Sequence, residues 1–326
     1  MRAVFLDLDS LDPRDLDLAP LHGCLTDWQF HDRTRPEQVS ARIRHAGVLV
    51  TNKVCITPEH IQAAPQLRLI CVAATGTDNV ALDAAARAGI VVSNARDYAT
   101  ASVVEHVFAM LLTLVRQLDN YRERVRQGDW TQSPHFCLFD QTISELSGKT
   151  LGIIGYGVLG KAVAKLARAF SMQVQVAQRL HGPPLPDRVP LPELLAGSDV
   201  ISLHCPLTEQ TRGLIGTAEF ARMKSSAILV NTARGGIVDE QALVSALRDG
   251  RIAAAAVDVA RKEPPEASSP LLGYHSPRLI VTPHIAWASQ ASRQRLLTEI
   301  SENITAFLHG RPRNTVQPAV AGPGPG

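Results

Sequence analysis

Residues 150–170 read TLGIIGYGVLGKAVAKLARAF. A short apolar run leads directly into Gly155-Tyr-Gly157-Val-Leu-Gly160, and a stretch of helical period follows from Lys161 to Phe170. A GxGxxG string alone is a weak signal, but here a strand precedes it and a helix follows, which is the context its mechanism requires. Gly155 permits a tight turn, Gly157 lets the backbone approach a pyrophosphate, and Gly160 lets helix and strand pack closely. The anion then sits at the positive end of the helix. This stretch decides a dinucleotide-binding α/β fold.

Working outward, strands are predicted at Thr150–Ile154, Val174–Ala177, Val200–His204, Ile228–Asn231, Ala254–Asp258 and Leu279–Thr282. Helices fill the gaps at Lys161–Phe170, Leu191–Ala196, Ala218–Met223 and Glu240–Arg248, the full complement of a dinucleotide-binding sheet. Towards the N-terminus a second alternating block has strands at Val4–Leu6, Val48–Thr51, Leu69–Ala73 and Ile90–Ser93, with helices at Pro58–Ala64 and Leu82–Ala88. Short apolar strands alternating with helices predict parallel sheets covered on both faces. Between the blocks one long helix is expected, capped by Thr100 or Ser102 (Ser102-Val-Val-Glu105 fits a capping box), with apolar residues recurring from Val103 to Leu118 and a stop at Gly128. An aromatic-bearing loop, Trp130 to Phe139, comes next. If the final helix, Ser289–Leu308, returns to the first block, the ligand cleft lies between two domains. The reading is α/β, two doubly wound parallel-sheet domains, with a Rossmann cofactor domain (99–285) inserted in a flavodoxin-like substrate domain (1–98 and 286–326). The Pro/Gly-rich tail is expected to be disordered from about residue 316.

The 326 residues suit about two domains. Hydrophobic residues at 45% and charged residues at 20% exclude disorder as the main state. A net charge of +2 supplies no strong field for nucleic acid or an anionic membrane. No apolar run reaches the length that crosses a bilayer, and Asp7 and Asp9 interrupt any signal-peptide h-region. Cys24, Cys55, Cys71, Cys137 and Cys205 are odd in number and never in a CxxC pair. They read as buried reduced thiols of a cytoplasmic protein, and no metal site is expected.

Polar groups recur where predicted strands end, the edge at which open α/β sheets bind ligands. Gln178 and Arg179 occupy the place where NAD-preferring sites carry an acid for the ribose 2′-hydroxyl. A carboxylate would repel a 2′-phosphate and a guanidinium can pair with it, so NADP(H) is predicted to be preferred, with NAD(H) as the other candidate. His204-Cys205-Pro206, Asn231-Thr-Ala-Arg234, Asp258 and Thr282-Pro-His284 close the following strands, and Glu263 lies just beyond Asp258. A 2-oxo acid needs its carboxylate held, its carbonyl polarised and a proton delivered as hydride arrives. The planar fork of Arg234 suits the first two tasks. The imidazole of His284 suits the third, and Glu263 paired to it would keep the protonated ring ready to donate.

GYGVLG, HCPLTEQTRGLIG, NTARGGIVDE, DVARKEPP and TPHIAWAS, in that order, resemble the successive signatures of the D-isomer-specific 2-hydroxyacid dehydrogenases. TNKV (51–54), VAATGTDNV (72–80), SPHFC (133–137) and HIAWAS (284–289) are most similar to the hydroxypyruvate reductase/glycerate dehydrogenase branch. The resemblance implies reduction of hydroxypyruvate or glyoxylate by NAD(P)H, reversibly, with Arg234, Glu263 and His284 as the catalytic set. It implies a substrate carboxylate on the backbone N–H groups of Ala74, Thr75 and Gly76, with Trp287 nearby and Asn52 or Lys53 at the mouth. The cofactor would meet Gly155, Gly157, Val158, Leu159, Gly160, Gln178, Arg179, His204, Cys205, Pro206, Thr211, Thr232, Ala233 and Ala286, with Asp258 at the nicotinamide carboxamide. A homodimer is also implied, in which the long helix and the loop after it cross to the partner. The competing reading is a dinucleotide-sensing, corepressor-like regulator on the same fold.

Overall fold

The computed structural model describes residues 1–180 and 182–318. The chain divides into two compact units, Met1–Ala99 with the chain from Ala288 onward, and Thr100–Trp287.

The first unit holds a five-stranded sheet of β1 (Ala3–Phe5), β2 (Trp28–Phe30), β3 (Val48–Thr51), β4 (Leu69–Val72) and β5 (Val91–Asn94), in the order β2-β1-β3-β4-β5 and parallel throughout. β1, β3 and β4 are buried on both faces, which explains their unbroken apolar sequence. β2 has no such run. Only partly buried and at the sheet edge, it escapes a search for apolar segments. Where the order turns between β1 and β3, the buried carboxylate of Asp7 accepts the N–H groups of Asn52, Lys53 and Val54 at 2.9, 2.6 and 3.2 Å. Burial pushes the Asp7 pKa up, against these hydrogen bonds. The helix Gln290–Leu308, capped by Ser289, places Leu296, Leu297, Ile300 and Ile304 in the interior of this unit. Arg293 closes a two-pronged contact with Asp15, both arms 2.8 Å. Past this helix, Val316 N–H donates to Val92 O at 2.8 Å. Residues 319–326 of the expected disordered tail lie outside the described residues.

The second unit holds β6 (Thr150–Ile154), β7 (Gln173–Val176), β8 (Val200–Leu203), β9 (Ile228–Asn231), β10 (Ala254–Val257) and β11 (Leu279–Val281), parallel in the order β11-β10-β9-β8-β6-β7. Ala177, His204, Asp258 and Thr282 each fall one residue past the strand in which the sequence put them. Burial of residues such as Leu194, Ile201, Leu229, Leu243 and Leu247 forms its core.

The predicted single long helix is two, Thr100–Val115 and Leu118–Arg126, bent by 59° at a break where Gln117 takes a left-handed φ of 56°. Apolar periodicity survives the break, so it could not reveal it. Ser102 is not the cap: it lies inside the helix, and its hydroxyl donates to Ala286 O at 2.7 Å. No single helix among the described residues is long and apolar enough to cross a membrane. The cysteines are all free, but only Cys71 is buried and Cys55 is exposed, against the uniform burial expected.

Candidate active site

All six strands of the second sheet point the same way, so their C-terminal ends share one rim. Gly155–Gly160 leaves β6 beside β8, where the strand order reverses. In open α/β sheets that crevice takes the dinucleotide. A Cβ on Gly155, which has φ 95°, would come within 2.4 Å of the Cys205 backbone nitrogen. A Cβ on Gly160 would lie 2.2 Å from Gly155 O. Above Gly157 there is open space, and Val158 and Leu159 begin the helix Val158–Ala169 behind it. The turn thus presents bare backbone at a helix N-terminus, a fit for a pyrophosphate. The buried hydroxyl of Thr232 has no partner among the described residues, as a group facing a bound nucleotide would leave it.

The lining on either side is less uniform than the sequence implied. His204 bonds Ser202 Oγ through Nε2 at 2.8 Å, while its buried Nδ1 has no partner among the described residues, and burial pushes its pKa down to about 4. Burial raises the Cys205 thiol pKa. Thr211 is turned inward: its hydroxyl donates to Pro206 O and accepts from Thr208 N–H, both at 2.7 Å, so it shapes the 206–211 turn. Ala233 N–H donates to Asn231 Oδ1 at 3.0 Å. The Gln178 amide is engaged by its own loop. Its nitrogen donates to the carbonyls of Leu185 (3.0 Å) and Arg188 (3.2 Å), and its oxygen accepts Leu185 N–H (3.0 Å). Arg179 is exposed and has no hydrogen bond or ion pair among the described residues.

β9, β10 and β11 are neighbours and deliver the candidate chemical groups. Arg234 follows β9, is partly buried, and has no carboxylate partner among the described residues; its Nη1 donates only to Ala233 O, at 2.8 Å. Glu263 follows β10, and His284 follows β11. Their side chains meet at 2.6 Å, Glu263 Oε2 to His284 Nδ1, while the other Glu263 oxygen accepts Ala260 N–H at 3.0 Å. Gly235 ties Arg234 to that loop: a Cβ there would stand 2.0 Å from the Ala260 carbonyl carbon. His284 itself takes a left-handed φ of 56°, a conformation that non-glycine residues adopt at a cost.

Asp258 explains how that turn is held. It is buried, Oδ1 accepts from Thr282 Oγ1 (2.6 Å) and Ile285 N–H (2.9 Å), and Oδ2 accepts from Ala286 N–H (2.8 Å). Burial favours its protonation, but hydrogen bonds from His106, Thr282, Ala286 and Ile285 prevail and hold its pKa below the usual carboxylate value. Both oxygens are therefore already engaged beneath the His284 turn, a role the sequence did not show. His106, which sequence reading missed, bonds Thr282 Oγ1 through Nε2 at 3.0 Å. It sits one helical turn from Ser102, so i and i+4 on one face could have drawn attention to it. Trp287 Nε1 donates to His284 O at 3.0 Å.

In the first unit, Ala74, Thr75 and Gly76 follow β4. The Ala74 and Thr75 carbonyls accept from Ala95 N–H and Asn94 Nδ2, and none of the three N–H groups donates to a described residue. Asn52 is buried with its amide on Ser10 Oγ at 3.0 Å, and its neighbour Lys53 is exposed. No group of three or more His, Cys, Asp or Glu among the described residues is placed to hold a metal ion.

Residues 108–286 match the model of the D-isomer specific 2-hydroxyacid dehydrogenase NAD binding domain. The chain belongs to that family. It is an oxidoreductase that interconverts 2-oxo acids and 2-hydroxy acids with a nicotinamide dinucleotide. It is 44% identical to a glycerate dehydrogenase of Methylorubrum extorquens, over 97% of this chain and 99% of that one. It is 39% identical to a hydroxypyruvate reductase of Blautia hydrogenotrophica, over 97% and 99%. Among solved structures, an acyclic imino acid reductase in complex with NADPH and D-Arg superimposes with a TM-score of 0.84 at 28% identity, covering 97% of this chain and 100% of that one.

Proposed function

We propose that this enzyme reduces a short polar 2-oxo acid, hydroxypyruvate or glyoxylate, to the D-2-hydroxy acid, with Arg234, Glu263 and His284 as its working groups. One observation carries the reading: an imidazole–carboxylate pair at 2.6 Å shares a sheet rim with a guanidinium that no carboxylate among the described residues neutralises. A buried or half-buried cation without a counter-ion is a place for an anionic ligand. Arg234 holds the carboxylate and the carbonyl oxygen. Glu263 fixes the His284 ring through Nδ1, leaving Nε2 to give a proton to the carbonyl oxygen, or to take it from the hydroxyl in the reverse direction. The bound nicotinamide supplies the hydride. The N–H groups of Ala74, Thr75 and Gly76 have no acceptor among the described residues, which suits them to an anion. The relatives named for glycerate and hydroxypyruvate point to a small polar substrate. Glyoxylate, hydroxypyruvate, pyruvate and phenylpyruvate, each assayed with both nicotinamides, test it. Cofactor consumption with none of them sinks the reading, and preference for phenylpyruvate moves it to a bulkier substrate.

NADP(H) is the preferred cofactor in this reading. Gln178 stands where an acid would repel a 2′-phosphate, and Arg179 is exposed beside it without a partner among the described residues. Arg179→Ala is expected to raise KM for NADPH about tenfold or more and leave KM for NADH within twofold; an equal effect on both removes Arg179 from the 2′-phosphate.

The remaining assignments are a homodimer and a cytoplasmic location. Trp130, Phe136 and Phe139 are 53%, 88% and 79% exposed, an apolar segment that a second copy would cover. Light scattering should report twice the chain mass; a monomer at micromolar concentration refutes the dimer. Free thiols at all five cysteines support a reducing compartment.

A further inference from the structure

The loop after β7 carries two cations, and the sequence pointed to only one. Arg188 lies at its far end. Its guanidinium carbon sits 4.6 Å from the centre of the Tyr156 ring, in cation–π geometry. Tyr156 is the second residue of Gly155-Tyr-Gly157, so the ring beneath Arg188 belongs to the phosphate-binding turn itself. Gln178, at the position where a ribose-reading acid would stand, holds the Arg188 carbonyl at 3.2 Å and clasps Leu185 through both ends of its amide. Val189 N–H donates to Val176 O at 3.0 Å and Gln178 N–H to Val189 O at 2.8 Å, which lays this end of the loop alongside the end of β7. The Arg188 side chain has no carboxylate partner among the described residues, and neither does Arg179. Asp187, the one acid of this loop, forms no ion pair with either cation among the described residues, which leaves both for an anion from outside.

We propose that Arg188, laid across Tyr156, is the second cation of a 2′-phosphate clamp. Gln178 acts as its positioning residue: where an acid would bind a ribose hydroxyl, the amide shapes the loop that carries the clamp. The ligand class is an adenosine bearing a 2′-phosphate, as in NADP(H). This rests on the cofactor reading above and adds a specificity residue to it.

Calorimetric titration with 2′,5′-ADP and with 5′-ADP tests it without turnover. Wild-type protein should prefer 2′,5′-ADP, and the preference should shrink as salt rises. Arg188→Ala should weaken 2′,5′-ADP about tenfold and leave 5′-ADP within twofold, the latter also reporting that the nucleotide crevice is intact. Tyr156→Leu, which removes the platform but no charge, should act in the same direction and more weakly, and Arg188→Lys should recover part of the loss. If the wild type prefers 2′,5′-ADP, Arg179→Ala abolishes that preference and Arg188→Ala does not change it, the Arg188 clamp is wrong while the NADPH reading stands. If the wild type binds both nucleotides equally, the NADPH reading falls and takes the clamp with it. Equal loss of both nucleotides in Arg188→Ala makes Arg188 a structural residue and overturns the proposal.

Discussion

His284 combines a close carboxylate partner, Glu263 at 2.6 Å, with an unfavourable backbone. Its φ of 56° is held by Asp258, which accepts the N–H groups of the next two residues, Ile285 and Ala286, and by Trp287 Nε1 on its carbonyl. A left-handed non-glycine residue costs on the order of 1–3 kcal/mol and persists where its surroundings over-determine it. Here the result is a ring whose Nδ1 faces Glu263 and whose Nε2 has no hydrogen-bond partner among the described residues. His284→Ala should lower kcat by roughly 10²–10⁴ with little change in dinucleotide affinity by fluorescence titration; unaltered turnover would remove it from the mechanism. The three side chains of the proposed working set stood out in the sequence because arginine, glutamate and histidine follow strand ends in succession. Asp258 was legible as a polar strand-end residue, but its task was not: which atoms its oxygens accept depends on a turn more than twenty residues later.

At the scale of elements, two parts with no reacting group position the site. The helix Thr100–Val115 uses Ser102 and His106 to hold Ala286 O and Thr282 Oγ1, bracketing His284 in the chain. The sequence showed this helix only as an apolar stripe. The second part is the close approach at Gly235. Any side chain there meets the Ala260 backbone at 2.0 Å, and Ala260 N–H in turn holds Glu263. Because backbone cannot rotate away as a side-chain tip can, Gly235→Ala should separate the Arg234 and Glu263 loops. We expect kcat/KM for the 2-oxo acid to fall at least a hundredfold while 5′-ADP binding at the Gly155–Gly160 turn is retained; wild-type kcat/KM would show that the loops do not need this contact. The helix break at Gln117 belongs to this scale too. No residue type marks it, since glutamine has no preference for left-handed backbone.

For the whole molecule, the buried groups set a stability that depends on pH. The His204 pKa is depressed from 6.5 to about 4 in the folded chain, so between those values the unfolded chain binds the extra proton. The stability it contributes is full above about pH 6.5 and is lost as pH falls towards 4, by roughly 3 kcal/mol in all. Asp258, held below its ordinary value, adds a loss of the same sign at still lower pH. Thermal unfolding should therefore show Tm falling from pH 7 to pH 5, with a smaller fall in His204→Asn; identical pH profiles would mean that His204 is not buried neutral.

Strand alternation, the glycine turn with a helix behind it, and the order of polar strand ends were determined by the sequence alone. Each is a local pattern, fixed by the period of the backbone or by the conformational range of one residue type. The edge strand β2, the break at Gln117, the anchoring of the His284 turn by Asp258 and His106, and the seating of Arg188 on Tyr156 were decided only in the tertiary structure. These features rest on contacts between residues far apart in the chain, and whether a carboxylate or a guanidinium is engaged by protein or left for a ligand follows from which distant groups the fold brings within hydrogen-bonding reach.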